Sequence, residues 1–286
     1  MAFGIVLCAD DYAISPGVSR GIREALTAGR LSATGCMVNL PHWQQEALAL
    51  AALAPDADIG LHLNLTLGQP LSPMPQLAPT GRFPAISALM SASRRKALPL
   101  DEIRVEISAQ LDAFGTHFRR VPDFLDGHQH VQILPGIAGI VLDELARRRL
   151  TDRVWLRSSA DRVARILARA SCTPKALALA WLGRGFARQA RARGFVTNDG
   201  FAGFSAFDSR RDFGRDFARF LVAPGSRHLV MCHPGHADAE LAALDPVTAT
   251  REQELAFLLS PEFQALLAAK GTRLMRGRAL MRGLRE

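Results

Sequence analysis

Short apolar runs that end in polar chemistry alternate along this chain with longer stretches of helical spacing. Residues 4–9 are nearly unbroken apolar, the pattern of a strand buried on both faces, and they stop at Asp10-Asp11. Ser15 and Pro16 then cap and start a predicted helix, with Val18, Ile22, Ala25 and Leu26 on its inner face and Gly29 as its stop. A strand at 33–39 and a helix at 41–54 follow. Residues 59–66 alternate, with Leu61, Leu63 and Leu65 on one face and Gly60, His62, Asn64 and Thr66 on the other. A polar face of that kind in a core strand suggests the lining of a barrel mouth.

Residues 67–99 are rich in Pro, Gly and Ser, without a sustained period, and read as a loop insertion. Residues 100–118 are an amphipathic helix with Asp101 and Glu102 near its start. The chain returns through an apolar approach to Asp126-Gly127-His128-Gln129-His130. On an extended strand Asp126, His128 and His130 share one face. A helix at 136–149, a strand at 154–157 ending in Arg157 and a helical insertion at 160–193 come next. Beyond them lie strand plus loop at 195–207, a helix at 209–221 and a strand at 228–232 that ends in His233. Helical spacing at 250–270 and a short strand beginning near Leu274 complete the pattern. Strands alternating with helices, with reactive residues at strand C-termini, predict an α/β fold of the (β/α) barrel kind, a single domain over 1–286.

Composition narrows the class. In 286 residues, 48% are apolar, enough for a large core. No run of 18 apolar residues exists, so no membrane span is expected, and the N-terminal segment reads as a first strand instead of a signal peptide. A cytoplasmic address is the default expectation. The four cysteines lack metal-finger or redox spacing and read as small packing residues. The net charge of +8 comes mainly from arginines scattered over helical patterns, with no interleaved aromatic platform. A solvated basic surface is expected, not a nucleic-acid site. The stretch with Leu177, Leu179, Trp181, Leu182 and Phe186 is greasy and basic. It reads as a packed helix, with peripheral membrane contact or dimer formation left open.

Chemistry gathers at the strand ends: Asp10 with Asp11, His62, His128 with His130, and His233. Adjacent carboxylates at a buried strand end repel unless a cation is near, or one binds metal while the other takes a proton. Aspartate and two histidines are an N/O donor set suited to a catalytic divalent ion such as zinc or magnesium. Arg157 reads either as a substrate contact or as a structural ion pair.

These motifs resemble those of the YdjC-like carbohydrate deacetylases. The match lies in Ala9-Asp10-Asp11-Tyr12, Gly60-Leu61-His62-Leu63-Asn64-Leu65-Thr66, Asp126-Gly127-His128-Gln129-His130 and Met231-Cys232-His233-Pro234-Gly235, in family order. The resemblance implies a deacetylase-type (β/α) barrel, incomplete or distorted, often dimeric. It also implies one divalent metal ion and removal of acetyl groups from N-acetylated sugars, as oligosaccharides or glycolipids. One branch is associated with hopanoid lipid biosynthesis. Carried over by position, Asp11, His62 and His128 match the metal ligands, Asp10 the general base and His233 the acid for the leaving amine. His130 becomes a substrate-contacting or supporting group; Asn64, Asp126 and Arg157 are substrate-binding or supporting candidates on their own positions, outside that carry-over. Gln132 stands where members often carry another histidine, and Tyr12 where Phe is common. The rival readings are another metal hydrolase, a non-catalytic carbohydrate binder and a basic nucleic-acid binder.

Overall fold

The computed structural model describes residues 3–53 and 55–282. The end of the helix expected at residue 54 lies outside them. The first half runs β1 (Phe3–Tyr12), α1 (Pro16–Thr27), β2 (Ala33–Cys36), α2 (Trp43–Ala51), β3 (Asp58–Leu63), α3 (Ile86–Arg94), α4 (Leu100–Phe118) and β4 (Phe124–Gly127). A 3-10 turn (His128–Ile133), α5 (Ile137–Arg147), β5 (Trp155–Leu156), α6 (Val163–Arg169), α7 (Thr173–Ala192) and β6 (Gly200–Ala202) follow. The chain closes with α8 (Phe213–Phe220), β7 (His228–Cys232), α9 (Ala239–Leu244), α10 (Ala249–Leu259), α11 (Pro261–Ala269), β8 (Thr272–Leu274) and α12 (Gly277–Arg282).

Every strand pairing is parallel, in the order β5-β4-β3-β2-β1-β7-β6, with β8 added to the first residues of β1. The sheet curls until its ends nearly meet. Between them stands an isolated bridge, Leu156 to Thr197, with the Leu156 N–H donating to Val196 O at 2.9 Å. The result is the expected incomplete (β/α) barrel in one domain, with a thin seam between β5 and β6.

Alternation along the strands sorts the core into two layers. Ile5, Leu7 and Ala9 join the large cluster under the outer helices. Val6 and Cys8 point the other way, with Ala33, Phe124, Trp155, Phe201, Leu229 and Met231, and fill the barrel. That inner layer is tight. Phe124 stacks on Trp155 with centroids 4.4 Å apart, and a Cβ added at Gly60 would lie 2.5 Å from the Phe124 ring.

Several local expectations change in the folded chain. β3 stops at Leu63 because the Asn64 side chain replaces the ladder: its Oδ1 accepts from Thr66 N and Leu67 N, both at 3.0 Å. The insertion at 67–99 contains α3 and is pinned by carboxylates of α4. Glu106 accepts from the Leu71 and Ser72 amides, and Glu102 from those of Gln76 and Leu77. The extended strand expected through His130 ends at Gly127. Gln129 (φ 52) and His130 (φ 61) are left-handed, so Asp126, His128 and His130 do not share a strand face. The helical insertion is two helices, α6 and α7, and the 250–270 helix breaks at Pro261, which lacks the N–H needed to continue. Helices α9 and α12 had no clear sequence signal. The four cysteines are free.

Gly60→Ala should lower stability by about 1–3 kcal/mol through overpacking against Phe124. A urea midpoint equal to that of the parent protein would contradict this packing.

Candidate active site

The barrel's inner layer turns from apolar to charged at the strands' C-terminal ends. The period-two rows run Val6-Cys8-Asp10, Gly60-His62, Phe124-Asp126, Trp155-Arg157 and Met231-His233. Each row therefore delivers its polar residue to one mouth. Asp11 breaks the alternation and should face away from Asp10. It does not, because its backbone is left-handed (φ 66) and the β1–β2 register shifts between Ala9 and Tyr12. That kink swings the second carboxylate into the site, and Asp tolerates it better than most residues.

Asp11 Oδ1 is the meeting point. His128 Nδ1 lies 2.9 Å and His62 Nε2 3.3 Å from it. One ligand atom from each of Asp11, His62 and His128 lies within 4.8 Å of the other two. On its far side His62 Nδ1 meets Asp126 Oδ1 at 2.6 Å, which holds the ring so that Nε2 faces Asp11. Gly35 leaves room for this pair, since a Cβ there would lie 3.0 Å from His62 Nδ1 and 3.1 Å from Asp126 Oδ1. The donor set fits a divalent ion: two imidazole nitrogens and one carboxylate oxygen, already converged, with a supporting carboxyl behind one ring.

Two buried arginines organise the acids. Arg157 donates to Asp10 from both terminal nitrogens, at 2.5 and 2.9 Å, and reaches Asp126 Oδ2 at 2.8 Å. Arg251, on α10, binds Asp11 Oδ2 at 2.7 Å and Asp245 at 3.0 Å, which leaves Asp11 Oδ1 to the histidines. Burial, the largest single influence, would raise the Asp10 pKa, but the Arg157 charge and hydrogen bonds together with His62 and His233 outweigh it and bring the group to about 2. Burial and Arg251 oppose each other likewise at Asp11, which ends well below the usual carboxylate range. Burial pulls His62 down, yet Asp126 and Asp10 lift it to about 10. Without a metal, His62 is thus a cation held among acids. Burial lowers His233 to about 4, so it is neutral at pH 7.

The other expected residues fall around this centre. His233 Nε2 stands 3.9 Å from Asp10 Oδ2, while its backbone N–H donates to buried Glu254, whose pKa burial raises to about 7. His130 turns away from Asp11, with Nδ1 3.2 Å from Ser159 Oγ and its ring against Phe201 and Phe204. Asn64 does not line the cavity above the site. It ties Asn39 to Leu67, so its place is in loop support instead of substrate contact. Gln132 donates to Arg157 O at 3.2 Å, holding the backbone of the residue that grips Asp10. Arg157 itself is fully buried and paired, the structural alternative left open by the sequence. The cavity measures about 500 Å³, with Asp10, Asp11, His62, His128 and His233 on its floor. Its walls are largely aliphatic, including Ile86 and Met90 from α3 and Leu179 and Leu182 from α7. Arg251, Glu254 and Lys175 carried no motif signal. For Arg251 the sequence holds only a lone arginine in an amphipathic helix.

A profile described as YdjC-like protein matches residues 4–269. The chain belongs to the YdjC-like protein family. It is 29% identical over 276 residues to a carbohydrate deacetylase of Geobacillus stearothermophilus, covering 94% of this chain and 95% of that protein. It is 37% identical over 150 residues to a chitooligosaccharide deacetylase of Enterobacter sp. (strain 638), covering 52% of this chain and 58% of that protein. The latter match therefore spans less than two thirds of that relative. A crystal structure from Enterococcus faecalis V583, provisionally described as a cellobiose-phosphate cleavage protein, superposes with a TM-score of 0.74. It shares 23% identity and covers 98% of this chain and 100% of that one, so it shows the same fold. This YdjC-like chain is thus a member of a family that includes carbohydrate deacetylases.

In metal-free protein, His62 stabilises the fold fully below its unfolded pKa of 6.5, and that contribution is lost as pH rises through about 10. With chelator present, the melting temperature should fall over that window, and His62→Gln should flatten the fall. Equal slopes for both proteins would show that His62 is not held as a cation.

Proposed function

We propose that this protein hydrolyses the acetamide of an N-acetylated sugar, carried by an oligosaccharide or a glycolipid, with the help of one divalent metal ion. The observation that carries the reading is the convergence of Asp11, His62 and His128 beside Asp10 and His233 at the floor of one cavity. Asp11, His62 and His128 would hold the ion, zinc or magnesium. When bound, it supplies a positive charge that polarises the amide carbonyl and lowers the pKa of nearby water.

The chain's own groups handle the protons. Asp10 is ionised and takes a proton from the attacking water. His233 gives a proton to the departing nitrogen, so a neutral amine and acetic acid form, and the acid then releases its proton to solvent as acetate. Passage of the proton gained by Asp10 to His233 balances the cycle; at 3.9 Å the two groups need a bridging water or a small shift to exchange it. Because His233 is neutral before reaction, it must gain its proton within the catalytic sequence. Arg157 keeps Asp10 aimed and charged, and it also makes Asp10 a weak base until substrate and water arrive. A hydrolase with two bridged metals fits less well, since Asp10 and Asp126 are both engaged by Arg157. The aliphatic walls favour a substrate whose sugar carries an apolar group.

Acetate release from N-acetylglucosamine oligomers and from acetylated glycolipids, with and without chelator, tests the activity. His128→Ala should lose both bound metal, read by elemental analysis, and acetate release; full activity in this variant would refute the assignment. Asp10→Asn should retain metal while turnover drops by about 10²–10⁴-fold. Loss of metal in Asp10→Asn would exchange the roles of Asp10 and Asp11.

A further inference from the structure

Three of the eight large apolar side chains exposed among the described residues lie on α6 and α7. Between Asp161 and Asp199 the chain contains arginines and Lys175 but no carboxylate. Arg165 and Arg169 turn inward to Asp161. Ala176, Ala180, Gly183, Ala187 and Ala190 form the buried stripe of α7, and Gly183 sits so close to the Ser159-Ala160 backbone that a Cβ there would clash. The opposite stripe faces out. Trp181 is 71% exposed, with exposed Arg184 and Arg188 one and two turns after it, while Leu177, a turn before it, is half-buried against the inner apolar layer. On neighbouring α6, Val163 and Leu167 are also exposed, at 44% and 55%, one turn apart. Indole, aliphatic side chains and arginines thus lie along a segment without carboxylates, and Asp143, which neighbouring α5 brings to the end of α7, is paired with Arg193.

We propose that this face docks on the surface of an anionic lipid bilayer. The headgroup region accepts an amphipathic indole and attracts guanidinium groups, while the short aliphatic side chains reach the acyl boundary. No described helix is long and apolar enough to cross a membrane, so the attachment is peripheral. A second copy of this chain is a poor occupant, because it would bring an equally cationic face against this one. The same helix also supplies Lys175, Ala178, Leu179 and Leu182 to the cavity wall. Docking through its outer face therefore sets the cavity mouth near the headgroups. The inference rests on exterior residues and does not need the deacetylase reading.

Flotation with vesicles of phosphatidylcholine alone, and of equal parts phosphatidylcholine and phosphatidylglycerol, tests it. Trp43 and Trp155 are buried, at 2% and 4% exposure, so a vesicle-induced blue shift in tryptophan emission reports Trp181. The protein should float with the anionic vesicles, shift its emission and release in high salt. Trp181→Ala should lose the shift and about tenfold in binding. Arg184→Gln combined with Arg188→Gln should weaken binding by roughly fivefold per charge removed. Acetate release from a soluble acetylated oligosaccharide, and the melting temperature, should stay unchanged in both variants. Three results would overturn the proposal: no flotation of the parent protein, flotation unaffected by either variant, or lipid-free self-association that Trp181→Ala abolishes. The last would assign the face to a second copy.

Discussion

Three acidic side chains, Asp10, Asp11 and Asp126, crowd the dry mouth of this barrel, and their mutual repulsion must be countered there. Arg157 bridges Asp10 and Asp126, Arg251 holds the outer oxygen of Asp11, and His62 stands between Asp11 and Asp126. Breaking one partner of such a buried network exposes an uncompensated charge, which is far costlier than losing a surface pair. The same arrangement leaves one oxygen of Asp11 and two imidazoles converged.

The barrel explains why these residues meet. Strands β1, β3, β4, β5 and β7 send alternate side chains to the interior, apolar below and polar at or just past the strand's end. The sheet's curvature brings those last positions together. The exceptions to alternation have their own causes. Asp11 reaches the site through a left-handed residue at an irregular strand pairing. His128 reaches it only because the strand ends at Gly127 and the chain turns. That turn separates His128, against Asp11, from His130, against Ser159 and two phenylalanines.

Above the charged floor the cavity changes character. Much of its apolar wall comes from the two insertions, α3 within 67–99 and α7 within 160–193, joined by Phe207, Met231 of β7, Pro246 and Val247. The strand ends thus supply most of the charged floor, and the inserted helices much of the apolar wall. The long 67–99 insertion holds its place because carboxylates of α4 satisfy its backbone amides.

Much of this was legible in the sequence, because strand ends announce themselves: an apolar run stops and Asp or His follows at once. Asp10, Asp11, His62, His128 and His233 stand out on that ground, and local hydrophobic periodicity alone suffices for α1, α4 and β7. The roles of Asn64 and Arg157 were not legible, since a polar residue on a strand looks the same whether it meets substrate or backbone. Arg251 and Glu254 were beyond reach, because the site groups they meet, the Asp11 carboxylate and the His233 amide, lie more than 20 residues away along the chain. Local spacing decides which residues leave a strand on which side. Only the closed packing of distant segments decides which charges face one another, because that depends on curvature and backbone kinks with no periodic trace in the sequence.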